Sequence, residues 1–199
     1  MPKLNDREYR SIMPMVPTDT KRIESDYYVE GYAATYERYL LYEDYDGPVY
    51  EQFERTAFDG CDMSDIILQY NHSGKVLARQ RNKTLIVDAD ENGLFVCADL
   101  SKSEASRSLY EEIESGLIDR MSWGFIPLEY YWNEETRTLV HTKVKKIYDV
   151  SAVDFPANEG TEIHARAFVN GVIEQRTQEL RKIVLEKEKL RLKLKLGGF

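Results

Sequence analysis

A serine set in an apolar, glycine-bearing run, Met121-Ser122-Trp123-Gly124-Phe125, is the residue of this 199-residue chain that most asks for a chemical explanation. A hydroxyl among apolar side chains needs a partner. Backbone can supply one; so can an adjacent base, which would make the serine a nucleophile. Imidazole suits that task because it titrates near neutrality, and the chain has three histidines. His72 follows the apolar run Ile66-Ile67-Leu68-Gln69-Tyr70 and sits between Asn71 and Ser73-Gly74. His141 lies in a polar stretch, expected to be solvated, and His164 opens the C-terminal tail without a flanking cue. A third group must fix the imidazole tautomer and stabilise its cation. Asp149 and Asp154 are the candidates: on an alternating strand Asp149, Ser151 and Val153 share a face and Asp154 takes the other. An acid inside an apolar run is costly unless paired, which draws attention to Asp149. On the residues alone each group keeps a structural reading beside the hydrolytic one. A metallohydrolase on His72, His141 and acidic groups lacks any HExxH or comparable spacing, so no metal and no cofactor is expected.

The elements that must position these residues are mostly short strands. Tyr27–Tyr36 alternates β-formers with small residues and predicts a first strand, followed by a long connection with Asp46-Gly47-Pro48 as its turn. Ile66–Tyr70 predicts a buried strand that delivers His72 at its end. Thr84–Val87 and Leu94–Ala98 flank Asn92-Gly93, a strong hairpin former. Ser101 with Glu104 forms a capping-box pattern, Ala105, Leu109 and Ile113 recur on one helical face, and Gly116 is the expected stop. Tyr130–Trp132 and Leu139–Val144 predict another hairpin, and Ile147–Val153 a further strand. The expected organisation is a loose polar arm over residues 1–25, a catalytic domain over 26–165, and a charged helical extension over 166–199. The extension reads as helix to about residue 190, beyond which Leu190, Leu192, Leu194 and Leu196 alternate with charges at a strand period. Many short strands with one clear helix imply an α+β fold, a mainly antiparallel barrel or sandwich with helices around it.

Composition bounds the function. The net charge of −8 argues against a general nucleic-acid binder, which needs a basic face for phosphates. That charge is uneven: Glu174–Leu196 carries eight Lys/Arg against four Asp/Glu, a local +4 that leaves −12 elsewhere. A basic tail on an acidic body suggests a segment that contacts something, such as another copy. Cys61 and Cys97 stand far apart without a CxxC pair, so neither a disulfide framework nor a zinc knuckle is expected. No signal-peptide run opens the chain and no stretch reaches membrane-span length. These features predict a soluble protein made in a reducing cytoplasm.

Four stretches, taken together, resemble the tailed-phage prohead (capsid maturation) serine protease family. Gly31-Tyr32-Ala33-Ala34-Thr35-Tyr36 and the Phe53–Gly60 region are similar to its opening strand and following segment. Asn71-His72 with Lys75-Val76-Leu77-Ala78-Arg79 resembles its histidine motif, and Met121-Ser122-Trp123-Gly124-Phe125 its serine motif. Asp149-Val150-Ser151-Ala152-Val153 with Pro156-Ala157-Asn158 resembles the third motif. The likeness spans roughly residues 27–165, in the family's order. Ser73 stands where the family commonly has Asp, Trp123 where Phe is usual, and Asp149 where Glu is usual.

The resemblance implies a β-barrel with surrounding helices, related to herpesvirus assemblins. It implies Ser122 as nucleophile, His72 as base and Asp149 in the acidic third place. Herpesvirus relatives use a second histidine there, so His141 and His164 are rivals beside Asp154. By analogy with the same relatives, the turn at Ala157 and Asn158 would supply backbone donors to an oxyanion. The implied substrates are the scaffolding region of the major capsid protein and the chain itself, cut inside an assembling procapsid in the host cytoplasm. Other implied contacts are the portal and a second copy, as a dimer; no nucleic acid and no membrane is implied. A second class of function stays open: an assembly scaffold that retains the protease fold without its activity.

Overall fold

The computed structural model describes residues 7–13, 15–16, 21–154 and 159–196. Eleven strands and two helices follow one another along them: β1 Glu8–Met13, β2 Met15–Val16, β3 Tyr28–Thr35, β4 Tyr39–Asp44, β5 Gly47–Phe53, β6 Ile67–Tyr70, β7 Ser73–Arg79, β8 Leu85–Ala89, β9 Gly93–Asp99, α1 Glu104–Glu114, β10 Arg120–Asn133, β11 Thr138–Val153 and α2 Glu159–Leu196. The fold is mixed α+β and dominated by strands. Its larger sheet runs β1-β10-β11-β5-β4, with β6 also on β11 and β7 on β6; the smaller runs β2-β3-β9-β8. Neither sheet closes on itself, so the expected barrel gives way to two open sheets.

The two long strands β10 and β11 form the spine. Sequence reading broke them up, because Lys143, Lys145 and Lys146 interrupt the apolar pattern and Ser122 follows a helix. In the fold Val144 and Ile147 still face the core, while Lys143 and Lys146 reach outward to Glu129 and Asp62 at 2.8 and 2.7 Å. Register shifts at Gly124/Phe125, Ile126/Pro127, Pro127/Glu129 and Glu129/Tyr130 bend the pair. One half of β11 can therefore pair in parallel with β5, through Thr138–His141, and the other with β6, through Asp149–Ala152. An aromatic cluster of Phe53, Phe58, Trp123 and Phe125 packs inside, with the Trp123 and Phe125 rings stacked 4.3 Å apart.

The expected hairpins and helix are present with shifted details. Tyr45-Asp46 turns β4 directly into β5, with Asp44 paired to Gly47, so the long connection after the first strand is itself a hairpin. Helix α1 starts later than the capping-box pattern suggested. Its cap is Ser103, whose side chain accepts from the Ser106 backbone N–H, and Ser101 lies outside. Gly116 follows the helix with φ of 75°, the left-handed stop expected of it. Helix α2 runs on to Leu196 without a strand. Phe168, Val169 and Val172 dock it against Tyr42, Val49, Trp132 and Leu139, and from Glu174 onward the helix is largely exposed.

The larger departure is at the N terminus. Within the stretch expected to be a loose arm, Glu8–Met13 pair with Met121–Phe125 of β10 as the sheet's edge strand. Arg10 of this strand is buried and donates to both carboxylate oxygens of the fully buried Glu51, at 2.5 and 2.7 Å. It also donates to Glu8 at 3.1 Å. His141 joins from β11, 2.8 Å from Glu51, and the Tyr39 hydroxyl donates to the same carboxylate. His141 is thus wholly buried, stacked on Phe53, and not solvated as expected. Burial pushes the Glu51 carboxyl up, but Arg10 and His141 outweigh it and hold it below the usual carboxylate range.

Breaking such a pair strands a buried charge. Glu51→Ala is expected to cost about 3–5 kcal/mol, read from denaturant unfolding. Because the folded-state value is depressed, the stability Glu51 contributes is present above its unfolded pKa of about 4.3 and is lost as pH falls below that into strong acid. Stability of the Glu51→Ala chain should accordingly fall less steeply on acidification below about pH 5 than that of the parent; an equal slope would remove Glu51 from the account.

Candidate active site

The β6–β7 hairpin is the device that presents His72. Tyr70 pairs with Ser73, leaving Asn71 and His72 as the two turn residues, with φ of 47° and 54°. A two-residue hairpin of this kind demands positive φ at both positions, which Asn and His tolerate better than most side chains. The turn is held to β11 from beneath: Asn71 N–H donates to the Ala152 carbonyl at 3.0 Å, and His72 N–H to the Ser151 hydroxyl at 3.1 Å. Pairing of β6 with Asp149–Ala152 fixes how far the imidazole reaches over the sheet.

On β10 and β11 the pairing Ser122↔Ser151 and Gly124↔Asp149 sets the rest. Opposed residues share a face, so Ser122 and Asp149 lie on the same side, one pair apart. Ser122 Oγ is 2.6 Å from His72 Nε2, and the other ring nitrogen, Nδ1, is hydrogen-bonded to Asp149 Oδ2. Asp149 is nearly fully buried. Its second oxygen meets Arg7 Nη1 at 3.5 Å, and the Ser151 hydroxyl donates to Oδ2 at 3.4 Å. The three groups predicted from sequence converge on one hydrogen-bonded line. Such a line can move a proton from a hydroxyl to an imidazole that a carboxylate orients, which is nucleophilic acyl chemistry.

The rival third members fall elsewhere. Asp154 is exposed and takes a 3.5 Å bond from the Tyr70 hydroxyl. His141 belongs to the Glu51 network in the core. His164 lies on α2, and its side chain is outside the described residues, as are Ala157 and Asn158. Among the described residues no three His, Cys, Asp or Glu side chains come together as a metal site. Cys61 and Cys97 are free thiols, and no described helix is long and apolar enough to cross a membrane.

Sequence reading missed four contributors. Ser151 was placed on the Asp149 face but given no task. Gly124 is a position in the site at which a side chain would displace its neighbours: a Cβ there would lie 2.7 Å from Asp149 Oδ1 and 2.9 Å from the Tyr9 ring. Tyr9 and Arg7 flank the site from β1. Alternation along Glu8-Tyr9-Arg10 was the available signal, but its buried members are charged and so imitate a solvated stretch.

A family model described as "Caudovirus prohead serine protease" matches residues 16–176, four-fifths of the chain and all three residues of the hydrogen-bonded line. The chain belongs to that family. No curated protein and no solved structure matches it. Membership indicates a serine protease of phage capsid maturation, associated with phage capsid proteins and working within the procapsid. The match begins at Val16, so the matched residues do not include β1, although β1 borders the site.

Proposed function

We propose that Ser122, His72 and Asp149 form the catalytic triad of a capsid-maturation endopeptidase that cuts the scaffolding region of the major capsid protein and its own chain. The observation that carries this is the unbroken series from Ser122 Oγ through both ring nitrogens of His72 to Asp149. Ser122 Oγ attacks the scissile carbonyl while His72 Nε2 takes its proton, forming a tetrahedral oxyanion that collapses to an acyl-enzyme. The same imidazolium then protonates the leaving amine. Water attacks the acyl group in the second half, deprotonated by His72, and releases Ser122. Asp149 keeps the Nδ1–H tautomer and stabilises the imidazolium without taking the proton itself. Backbone donors must meet the oxyanion; we assign that task to the backbone N–H groups of Ala157 and Asn158.

An assembly scaffold without activity gives no reason to hold these three groups, from β10, β11 and the β6–β7 turn, in one line, so the active reading is favoured. The exposed, basic end of α2 is the segment most open to self-cleavage or to a partner surface. Mass spectrometry of the chain co-expressed with its major capsid protein tests the proposal. New termini are expected in the scaffolding region and within residues 174–199. Intact partner and intact chain after assembly would favour the scaffold.

A further inference from the structure

We propose that β1 completes the site, with Tyr9 and Arg7 as positioning residues that hold the His72 imidazole and the Asp149 carboxylate in the geometry that serves Ser122. The inference rests on the serine-protease reading above, and adds to it a strand that the matched family region, residues 16–176, does not contain.

Strand β1 is locked in register before it touches the site. Arg10 faces the core and clamps Glu51 through two bonds, and the pairing Tyr9↔Gly124 and Ser11↔Ser122 sets β1 beside the nucleophile's strand. Alternation then turns Tyr9 away from Arg10, onto the face that carries Ser122 and Asp149. The missing side chain at Gly124 leaves room for its ring. That ring lies against the imidazole of His72, with centroids 4.3 Å apart at 59°. It closes one side of the imidazole to water and to rotation about the side-chain bonds. Arg7 acts on the other partner. Its guanidinium sits 3.9 Å over the Tyr148 ring and reaches Asp149 Oδ1 at 3.5 Å and the Tyr9 hydroxyl at 3.4 Å. With Oδ1 engaged by Arg7, the carboxylate plane is set and Oδ2 stays in line with His72 Nδ1. Neither residue touches a reacting atom; both act through the base and its acid.

The rate at which a fluorophosphonate probe phosphonylates Ser122, with fluoride leaving and the hydroxyl proton passing to His72, measures the poise of the triad without any peptide-binding contribution. Tyr9→Leu and Arg7→Gln are each expected to slow labelling about tenfold or more, as small misplacements of catalytic groups do. Tyr9→Phe keeps the ring and Arg7→Lys a charge, and both should recover most of the rate. The low-field proton resonance of His72 Nδ1–H, assigned by its loss in His72→Gln, should broaden in Tyr9→Leu and persist in Tyr9→Phe. A strand with only a structural role would lower the melting temperature and leave the labelling rate of folded protein and this resonance unchanged. Arg7 is two-fifths exposed, so Arg7→Gln carries the test even where Tyr9→Leu does not fold. Wild-type rates in Arg7→Gln and Tyr9→Leu, with labelling abolished in Ser122→Ala, would overturn this inference alone. Undiminished labelling of Ser122→Ala would remove the protease reading and this inference with it.

Discussion

Replacing Ser122 with alanine is expected to lower kcat for peptide cleavage by on the order of 10⁶ while leaving the fold in place, because removing one member of a triad that acts as a unit costs nearly as much as removing all of it. The change takes away a single oxygen. Met121 and Trp123, which face the other way into the core, are untouched, and the β10–β11 pairing at this position is made by backbone. The hydrogen bond lost to His72 is worth about 1 kcal/mol, and the imidazole is partly exposed, so water can satisfy Nε2 in its place. Thermal unfolding should therefore shift by a few degrees at most. A cleavage time course and a melt on the same preparation check both halves. Processing at the parent rate would exclude Ser122 as nucleophile whatever the melt shows.

The second large effect should come from an isosteric change at the far end of the line. Asp149→Asn keeps the volume at a buried position where Arg7, Ser151 and the space over Gly124 leave little freedom. An amide cannot accept from Nδ1–H and also donate toward it. If its N–H faces Nδ1, the imidazole proton moves to Nε2, which then donates to Ser122 and can no longer take its proton. A loss of about 10⁴ in kcat is expected from the wrong tautomer alone. Combining Asp149→Asn with Ser122→Ala should cost no more than Ser122→Ala by itself, since a triad that is already disabled cannot lose its tautomer twice. Loss of less than tenfold in Asp149→Asn would remove Asp149 from the third place and reopen it to a rival.

Much of this was legible locally. His72 could be placed at a strand end because Ile66–Tyr70 is a short apolar run and Asn71 announces a turn. Ser122 and Asp149 stood out because a hydroxyl and a carboxylate inside apolar runs are expensive unless partnered. The α1 helix declared itself through the spacing of Ala105, Leu109 and Ile113. Errors arose where burial and polarity part company. His141 and Glu51 look solvated by type, yet each sits on a core-facing position, made tolerable by the bond between them and by the ion pair of Glu51 with Arg10. The same disguise hid β1, whose inward residues are Glu8 and Arg10.

The amino-acid order by itself determined which groups could act as nucleophile, base and acid, because those roles follow from side-chain chemistry and from the cost of burying it unpaired. It also determined the short elements that carry them, through periodicity and turn residues. Which acid faces the imidazole, how far His72 reaches, and the presence of β1 at the site were decided by strand pairing. The register Gly124↔Asp149, the parallel pairing of β6 with β11 and the antiparallel pairing of β1 with β10 each join residues far apart along the chain. Long-range pairing leaves no local period behind it, since its hydrogen bonds are made by backbone that every residue shares.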